Sequence, residues 1–504
     1  MTQDLGCFDL IVVGGGVNGA GIARDAAGRG LTVLLCEKDD LAQGTSSRSG
    51  KLVHGGLRYL EYYEFRLVRE ALIEREVLLR SAPHIVWPMR FVLAHSPEQR
   101  PAWMIRAGLF LYDHLGGRRI LPPTRSLDLL KAPEGDPLRK NFKGAFEYSD
   151  CWVDDARLVV LNAVDVRNRG GTVLTRTPLV SARRADGKWR VELRNIRDGR
   201  SLGAAGKVLV NAAGPWVEEV LRRAGRNTEN RVRLVKGSHI VTRKFWSGDQ
   251  AYLLQHTDKR VIFVNPYEGD LALIGTTDIP FHGRPEDVRA DGVEIEYLLS
   301  VVDRYFEDAP KAGGIIHSFS GVRPLFDDKA ANPSAVTRDY VFDMDAPDGQ
   351  APMLSVFGGK ITTYRKLAEH ALEKLSPYFP QMTGPWTEHA PLPGGDIPGA
   401  DFALFLSEWR RRRSWLPEQV ARGYARRYGA RAEDLLDGAK SIGGLGRQFG
   451  GTLYEREARF LAEKEWALSA EDVLERRTKH FLHLTESERA DFTAWFEMLA
   501  PQAV

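Results

Sequence analysis

Cysteine is scarce in this chain. Cys7, Cys36 and Cys151 are the three in 504 residues. Odd in number and far apart, they exclude a disulfide framework and offer no metal-type spacing. Each reads as a small buried hydrophobe in a reducing compartment, and no metal site is expected. Long apolar runs are missing as well. No stretch reaches the roughly 18 uninterrupted apolar residues of a spanning helix, and the opening Met-Thr-Gln-Asp lacks the basic start and apolar core of a secretory leader. A charge excess is also absent. The 70 Lys and Arg stand against 67 Asp and Glu, a formal net charge of +3, so no overall field favours nucleic acid and any basic surface must be local. There is no internal repeat and no low-complexity tract. These absences leave a cytoplasmic chain that crosses no membrane and is long enough for two or three domains around a large core.

Residues 8–13 form a short apolar run, read as a buried parallel strand. Residues 18–30 place small and apolar side chains at helical spacing and stop at a glycine, and 31–36 is a second buried strand. This β-α-β unit belongs to a doubly wound sheet. Residues 66–80 form an amphipathic helix with interleaved Arg and Glu. The middle of the chain changes character. Short strands at 231–242, 251–255, 261–266 and 271–275, with turn residues between them, predict an antiparallel sheet suited to a substrate platform. Strand, turn and helix return over 354–375. Residues 378–400 are rich in Pro and Gly and read as a linker, and a helical, arginine-rich region follows.

The first turn carries chemistry. Gly14-Gly15-Gly16-Val17-Asn18-Gly19 fits G-x-G-x-x-G directly after a strand. Gly14 permits the tight turn, Gly16 admits a pyrophosphate close to the backbone, and Gly19 lets helix and strand pack. The helix N-terminus offers free N–H groups to phosphate, and Glu37, ending the second strand, can hold a ribose diol. The motif does not separate NAD from FAD. Two later features favour a bound flavin: the hydroxyl-rich Thr45-Ser46-Ser47-Arg48-Ser49-Gly50-Lys51, and the pair Asn211-Ala-Ala-Gly214-Pro-Trp216 and Gly358-Gly359-Lys360-Ile-Thr362-Thr363. Each member of that pair follows a strand and opens a helix.

Longer runs carry a resemblance. They are Ser49-Gly50-Lys-Leu-Val-His-Gly-Gly-Leu-Arg58-Tyr59-Leu-Glu, Glu147-Tyr-Ser-Asp-Cys-Trp-Val-Asp-Asp-Ala-Arg157, Lys236-Gly-Ser-His239, Gly275-Thr-Thr-Asp278, Ser320-Gly-Val-Arg323-Pro-Leu, Thr337-Arg338-Asp-Tyr340 and Phe357-Gly-Gly-Lys360-Ile-Thr-Thr-Tyr-Arg365. In these the sequence resembles the aerobic glycerol-3-phosphate dehydrogenase family, within the D-amino-acid-oxidase-like flavoproteins. The likeness runs from residue 8 to about 395 and is weaker through the helical tail. The resemblance implies FAD as cofactor and sn-glycerol 3-phosphate as substrate, oxidised to dihydroxyacetone phosphate by hydride transfer from C2. It also implies ubiquinone as acceptor and a peripheral, monotopic place on the inner face of the cytoplasmic membrane. The fold expected is α/β. A Rossmann-like FAD-binding domain (1–82, 145–230 and 331–385) receives an inserted antiparallel substrate domain (83–144 and 231–330), followed by a linker (386–400) and an all-α C-terminal domain (401–504). A homodimer is left open.

Transferred to this sequence, the cofactor set expected is Gly14, Gly16, Asn18, Gly19, Glu37 and Lys38 at the first turn. It continues with Thr45, Ser46, Ser47, Lys51, Leu52 and His54 in the second segment, and with Val180, Ala213, Gly214, Trp216, Gly359, Lys360 and Thr362 farther on. A dianionic phosphate needs fixed cations, and the planar fork of arginine donates two hydrogen bonds at once. Arg58, Arg323 and Arg338 are the candidates, with Arg323 set in an apolar stretch. Removing the C2 hydroxyl proton calls for a base. His239 and His54 are the histidine candidates. Lys360 is expected beside flavin and substrate phosphate, while Tyr59, Thr277 and Asp278 would orient the substrate.

A soluble oxidase that reduces oxygen, an enzyme for another hydroxy substrate and a nicotinamide dehydrogenase are the alternatives. Residues 101–115, rich in Trp, Met, Leu and Phe and flanked by Arg90, Arg100, Arg106, Arg118 and Arg119, fit a helix lying in a lipid surface.

Overall fold

The computed structural model describes residues 2–96, 98–117, 120–226, 228–256, 258, 260–327 and 339–499. Arg118, Arg119 and Arg338 lie outside them. The chain opens with strand Gln3–Val13, passes the glycine turn into helix Val17–Gly28 and continues to strand Val33–Cys36. Leu10, Ile11 and Val12 are fully buried, as an unbroken apolar run demands in a sheet covered on both faces. The two strands are parallel, Leu10 opposite Val33 and Val13 opposite Cys36.

Among the described residues the strands form an eight-stranded sheet, a ten-stranded sheet and a two-stranded ribbon. The first sheet runs Val341–Asp345, Met353–Phe357, Ser201–Asn211, Gln3–Val13, Val33–Cys36, Thr172–Leu174. Its central pairs are parallel. Helices Val17–Gly28, Asp155–Asn168 and Tyr364–Leu375 pack together against it. This α/β half is thus assembled from separated stretches of chain.

The second sheet is built on strand Val232–Arg243, which is antiparallel to both Ile315–Phe326 and Leu271–Gly275. Strands Val261–Tyr267 and Ala251–Gln255 follow, then Val86–His95 and Gly144–Val153. The strands read from the middle of the sequence are present with ends shifted by a residue or two. The sheet is wider than they indicated because Gly144–Val153 hides its alternation. Its Glu147 and Asp150 are buried partners of Arg90 and Arg75. This strand pairs within the second sheet, and the chain returns to the first with helix Asp155–Asn168.

Beyond residue 400, helices including Phe402–Arg412, Glu418–Tyr428, Glu455–Glu465 and Glu486–Leu499 enclose Trp409, Tyr424, Tyr428 and Phe492. The ribbon Gln448–Gly450 with Leu453–Tyr454 is the β-structure in this helical unit. The Pro/Gly-rich stretch before it is firmly seated. Leu392 and Ile397 are buried, and Trp386 donates its Nε1–H to the Asp25 carbonyl at 3.1 Å.

No helix of the described residues is long and apolar enough to cross a membrane. Helix Ala102–Leu115 nevertheless wears its apolar side outward. Leu109 and Tyr112 are buried, but Trp103 is 70% and Phe110 61% exposed, with Leu111 also outward. Phe65 is exposed on a helix that this one packs against, and Tyr63 is exposed just before it.

Candidate active site

The strand ends of the first sheet and one face of the second enclose a cavity of about 600 Å³. At one end stands the glycine turn. Gly14 has a φ of +115°, and a Cβ there would lie 2.5 Å from the Ala212 carbonyl oxygen, so only glycine fits. A Cβ on Gly19 would strike the Gly14 oxygen at 1.9 Å, which is the close helix–strand approach that the motif requires. Glu37 accepts the Gly15 N–H at 2.6 Å and the Asp39 N–H at 2.8 Å, fixing its carboxylate at the cavity wall with lone pairs to spare. Burial raises its pKa to about 7. Ser46 accepts the Val17 N–H at 3.0 Å. Asn18 donates to the Gly358 carbonyl at 3.1 Å, and its own Oδ1 is buried without a partner. Backbone N–H groups at a helix start, a fixed carboxylate and an unused amide oxygen fit a dinucleotide's pyrophosphate and ribose.

Of the expected cofactor residues, Gly14, Gly16, Asn18, Glu37, Lys38, Thr45, Ser46, Leu52, His54, Ala213, Gly214, Trp216, Gly359, Lys360 and Thr362 line the cavity. Lys38 lies 3.9 Å above the Trp216 ring. Others do different work. Lys51 is turned away, with its ammonium on Asp155 at 2.9 Å and on the Ser47 carbonyl at 3.2 Å. Ser47 stays off the wall, as does Val180, which is 40% exposed while its neighbours Pro178 and Leu179 face inward.

The cavity wall also carries cations. Arg58, Arg323 and Lys360 line it, and the Lys360 ammonium sits 3.8 Å from the Tyr59 ring centre. Arg323 is held by the Asp278 carboxylate, the Thr276 hydroxyl and the Thr277 carbonyl. Its setting is therefore polar, unlike the apolar stretch expected from its sequence neighbours, of which Val322 is buried off the wall while Pro324 and Leu325 also line the cavity. Thr277 is fully buried. It accepts the Ser238 N–H and donates to Glu294. Its neighbour Thr276 faces the cavity instead.

His239 also lines the cavity, 2% exposed, with its ring stacked on Phe319 at 4.9 Å and both nitrogens unpartnered. Gly275 makes the room, since a Cβ there would lie 2.1 Å from the imidazole. Burial, then the charges of Arg323 and Lys51, lower the His239 pKa to about 3. His54 is also lowered, chiefly by burial. Both rings are uncharged at neutral pH. Residues lining the cavity that were not among the candidates include Gly237, Phe263, Asn265 and Gly321. Period-two alternation from His239 and Arg323 reaches Gly237 and Gly321, whereas Phe263 and Asn265 are on another strand and come in through the sheet register, Phe263 and His239 both lying opposite Gly275.

Comparison with known proteins agrees with this arrangement. Residues 9–365 match the model of the FAD dependent oxidoreductase family, and residues 385–502 match the C-terminal domain of alpha-glycerophosphate oxidase. The chain is 63% identical to D-erythritol 1-phosphate dehydrogenase of Brucella abortus, over 97% of each chain. It is 51% identical to aerobic glycerol-3-phosphate dehydrogenase of Escherichia coli, again over 97% of each. The solved glycerol-3-phosphate dehydrogenase of Bacillus halodurans, complexed with FAD, superposes with a TM-score of 0.75 at 26% identity, covering 97% of this chain and 94% of that one. A glycine turn, a ribose-side acid and a family match over both parts of the chain lead to one assignment: the protein belongs to the FAD-dependent oxidoreductase family, in the group that holds the glycerol-3-phosphate dehydrogenases, and its cofactor is FAD.

Proposed function

We propose that this protein oxidises a secondary alcohol of a short polyol phosphate and passes the electrons to a quinone at a membrane surface. The observation that carries the reading is that Arg58, Arg323 and Lys360 line the same cavity as two uncharged histidines, His239 and His54. FAD, when bound, supplies the hydride acceptor. The protein supplies the rest. Arg323, its plane fixed by Asp278 and Thr276, offers its fork to the phosphate. Lys360 adds a second charge. His239, held neutral, would take the hydroxyl proton as the alcohol becomes a ketone, the hydride and its two electrons being what FAD would accept. The bound phosphate dianion offsets the cations that depress His239, which strengthens it as a base when substrate is present.

The 63% identity to a D-erythritol 1-phosphate dehydrogenase favours a four-carbon substrate. Glycerol 3-phosphate is the second reading, supported by relatives at 50–52% identity. Anaerobic bleaching of the flavin band, compared for the two phosphates and for free glycerol and erythritol, tests the reading. Fast bleaching by a phosphate alone is expected, and equal bleaching by the free polyols would overturn it. The quinone and membrane parts rest on helix Ala102–Leu115. Its Met104, Ile105 and Gly108 line the cavity while Trp103 and Phe110 face outward. Reoxidation by a quinone analogue should outpace reoxidation by air, and the reverse would identify an oxidase.

A further inference from the structure

Loop 37–44 separates the glycine turn from the hydroxyl-rich segment, and its residues face two ways. Glu37, Lys38, Asp39, Ala42, Gln43 and Gly44 line the FAD cavity. Asp40 and Leu41 point away from it and are fully buried. Little within the loop itself sets its shape. It contains no strand pairing. The Ala42 N–H reaches the Gly15 carbonyl at 3.0 Å, Asp40 and Gln43 bond one another, and Ala42 sits at a φ of +64°, a conformation that costs a non-glycine residue free energy.

The anchor comes from the far end of the chain. Arg477 grips both Asp40 oxygens, at 2.7 and 2.8 Å, and Arg476 adds a third bond at 2.6 Å. These arginines are the last two residues of the π-helical turn Asp472–Arg477, and both side chains reach Asp40. The turn is braced in its own right. Asp472 receives Arg476 at 2.5 Å and Arg176 at 2.7 Å, and Arg477 also donates to the Glu465 carbonyl at 2.8 Å. Arg176 closes the ring, because its N–H bonds the Asp39 carbonyl while the next residue, Thr177, bonds the Glu37 carbonyl. Asp40, Asp472, Glu465, Arg476, Arg477 and Thr177 are each at least 95% buried, while Arg176 is 15% exposed.

We propose that Arg476 and Arg477 of the C-terminal unit are positioning residues of the FAD site, acting through Asp40 to hold loop 37–44 in its receiving shape. An interdomain tie with no role toward the cofactor would weaken the whole fold alike. A positioning tie weakens FAD retention first, since the loop faces FAD on one side and the clamp on the other.

The full-length holoprotein tests this. Asp40→Asn and Arg477→Met break the clamp. Glu465→Gln is the control, because it leaves in place the backbone carbonyl that accepts Arg477 and alters only side-chain ties, among them the equally buried one to Arg157, with a bond at 3.0 Å. The clamp variants should bind FAD about 10- to 100-fold more weakly, the usual cost of losing a supporting residue around a bound group. Their apoproteins should melt no lower than that of Glu465→Gln, and flavin-saturated enzyme should keep the parent's KM for its polyol phosphate. FAD affinity within about twofold of the parent in both clamp variants would overturn the proposal, as would an equal loss in Glu465→Gln. If the clamp variants do not fold, Arg476→Gln, which leaves the Arg477 pair intact, is held to the same two comparisons.

Discussion

Replacing Trp103 and Phe110 with Ser puts the outward face of helix Ala102–Leu115 to a quantitative test. An aromatic side chain presents about 150–250 Å². With 70% and 61% of these residues outside, each has roughly 90–170 Å² to lose to a lipid boundary. At about 25 cal/mol per Å² that is about 2–4 kcal/mol each, and seating only half of the area still leaves about 3 kcal/mol for the pair. Every 1.4 kcal/mol is about tenfold in partition, so the double variant should bind anionic vesicles about 100-fold more weakly. Arg100 and Arg106 stand on the same side, and changing both to Gln should remove roughly 1 kcal/mol per charge, seen as a flatter dependence of binding on salt. Both variants should keep FAD and reduce a soluble dye at the parent's rate. Co-sedimentation equal to the parent's in the aromatic variant would refute the lipid role of this helix.

Three further outcomes follow from the site. Gly16→Val should yield protein largely without flavin, since even a Cβ there approaches Ser46 Oγ at 3.2 Å; full FAD occupancy by absorbance would refute it. Arg323→Lys keeps a charge but loses the fork, and substrate affinity should fall by about 1.5–3 kcal/mol with FAD content unchanged in steady-state and spectral measurements. The buried His84, whose pKa is lowered to about 3 by burial and then by Arg157, Arg431 and Arg426, should make the protein acid-sensitive. Above the ordinary value of 6.5 neither state is charged; below it the unfolded chain takes up the proton first, so stability falls by about 1.4 kcal/mol per pH unit from that group. His84→Gln should flatten the loss between pH 6.5 and 5 in urea titrations, and an unchanged slope would count against it.

The glycine turn was legible in the sequence because its chemistry is local: strand, three glycines, helix and acid lie in one stretch of chain. The cationic part of the wall was legible only as a set of residue types. Which of Thr276 and Thr277 faces the cavity depends on strand phase, and a one-residue change of phase reverses it. Lys51 sits in a matched motif yet turns to Asp155, an ion pair across 104 residues that no local pattern announces. The strand Gly144–Val153 hid for the same reason, since its buried acids are paired with arginines from elsewhere in the chain.

The Pro/Gly-rich stretch between the two halves has a consequence for shortening this chain. Trp386 covers Gly28, where a Cβ would fall within 2.0 Å of the indole, and Gly395 lies against the Ser81 carbonyl. A gene cut after residue 385 would thus not release an independent catalytic core. It would strip the roof from the helix that begins at the glycine turn, leaving Gly28 as a notch and the Asp25 carbonyl without its indole donor. Any shorter descendant would have to refill that notch before it could dispense with the tail.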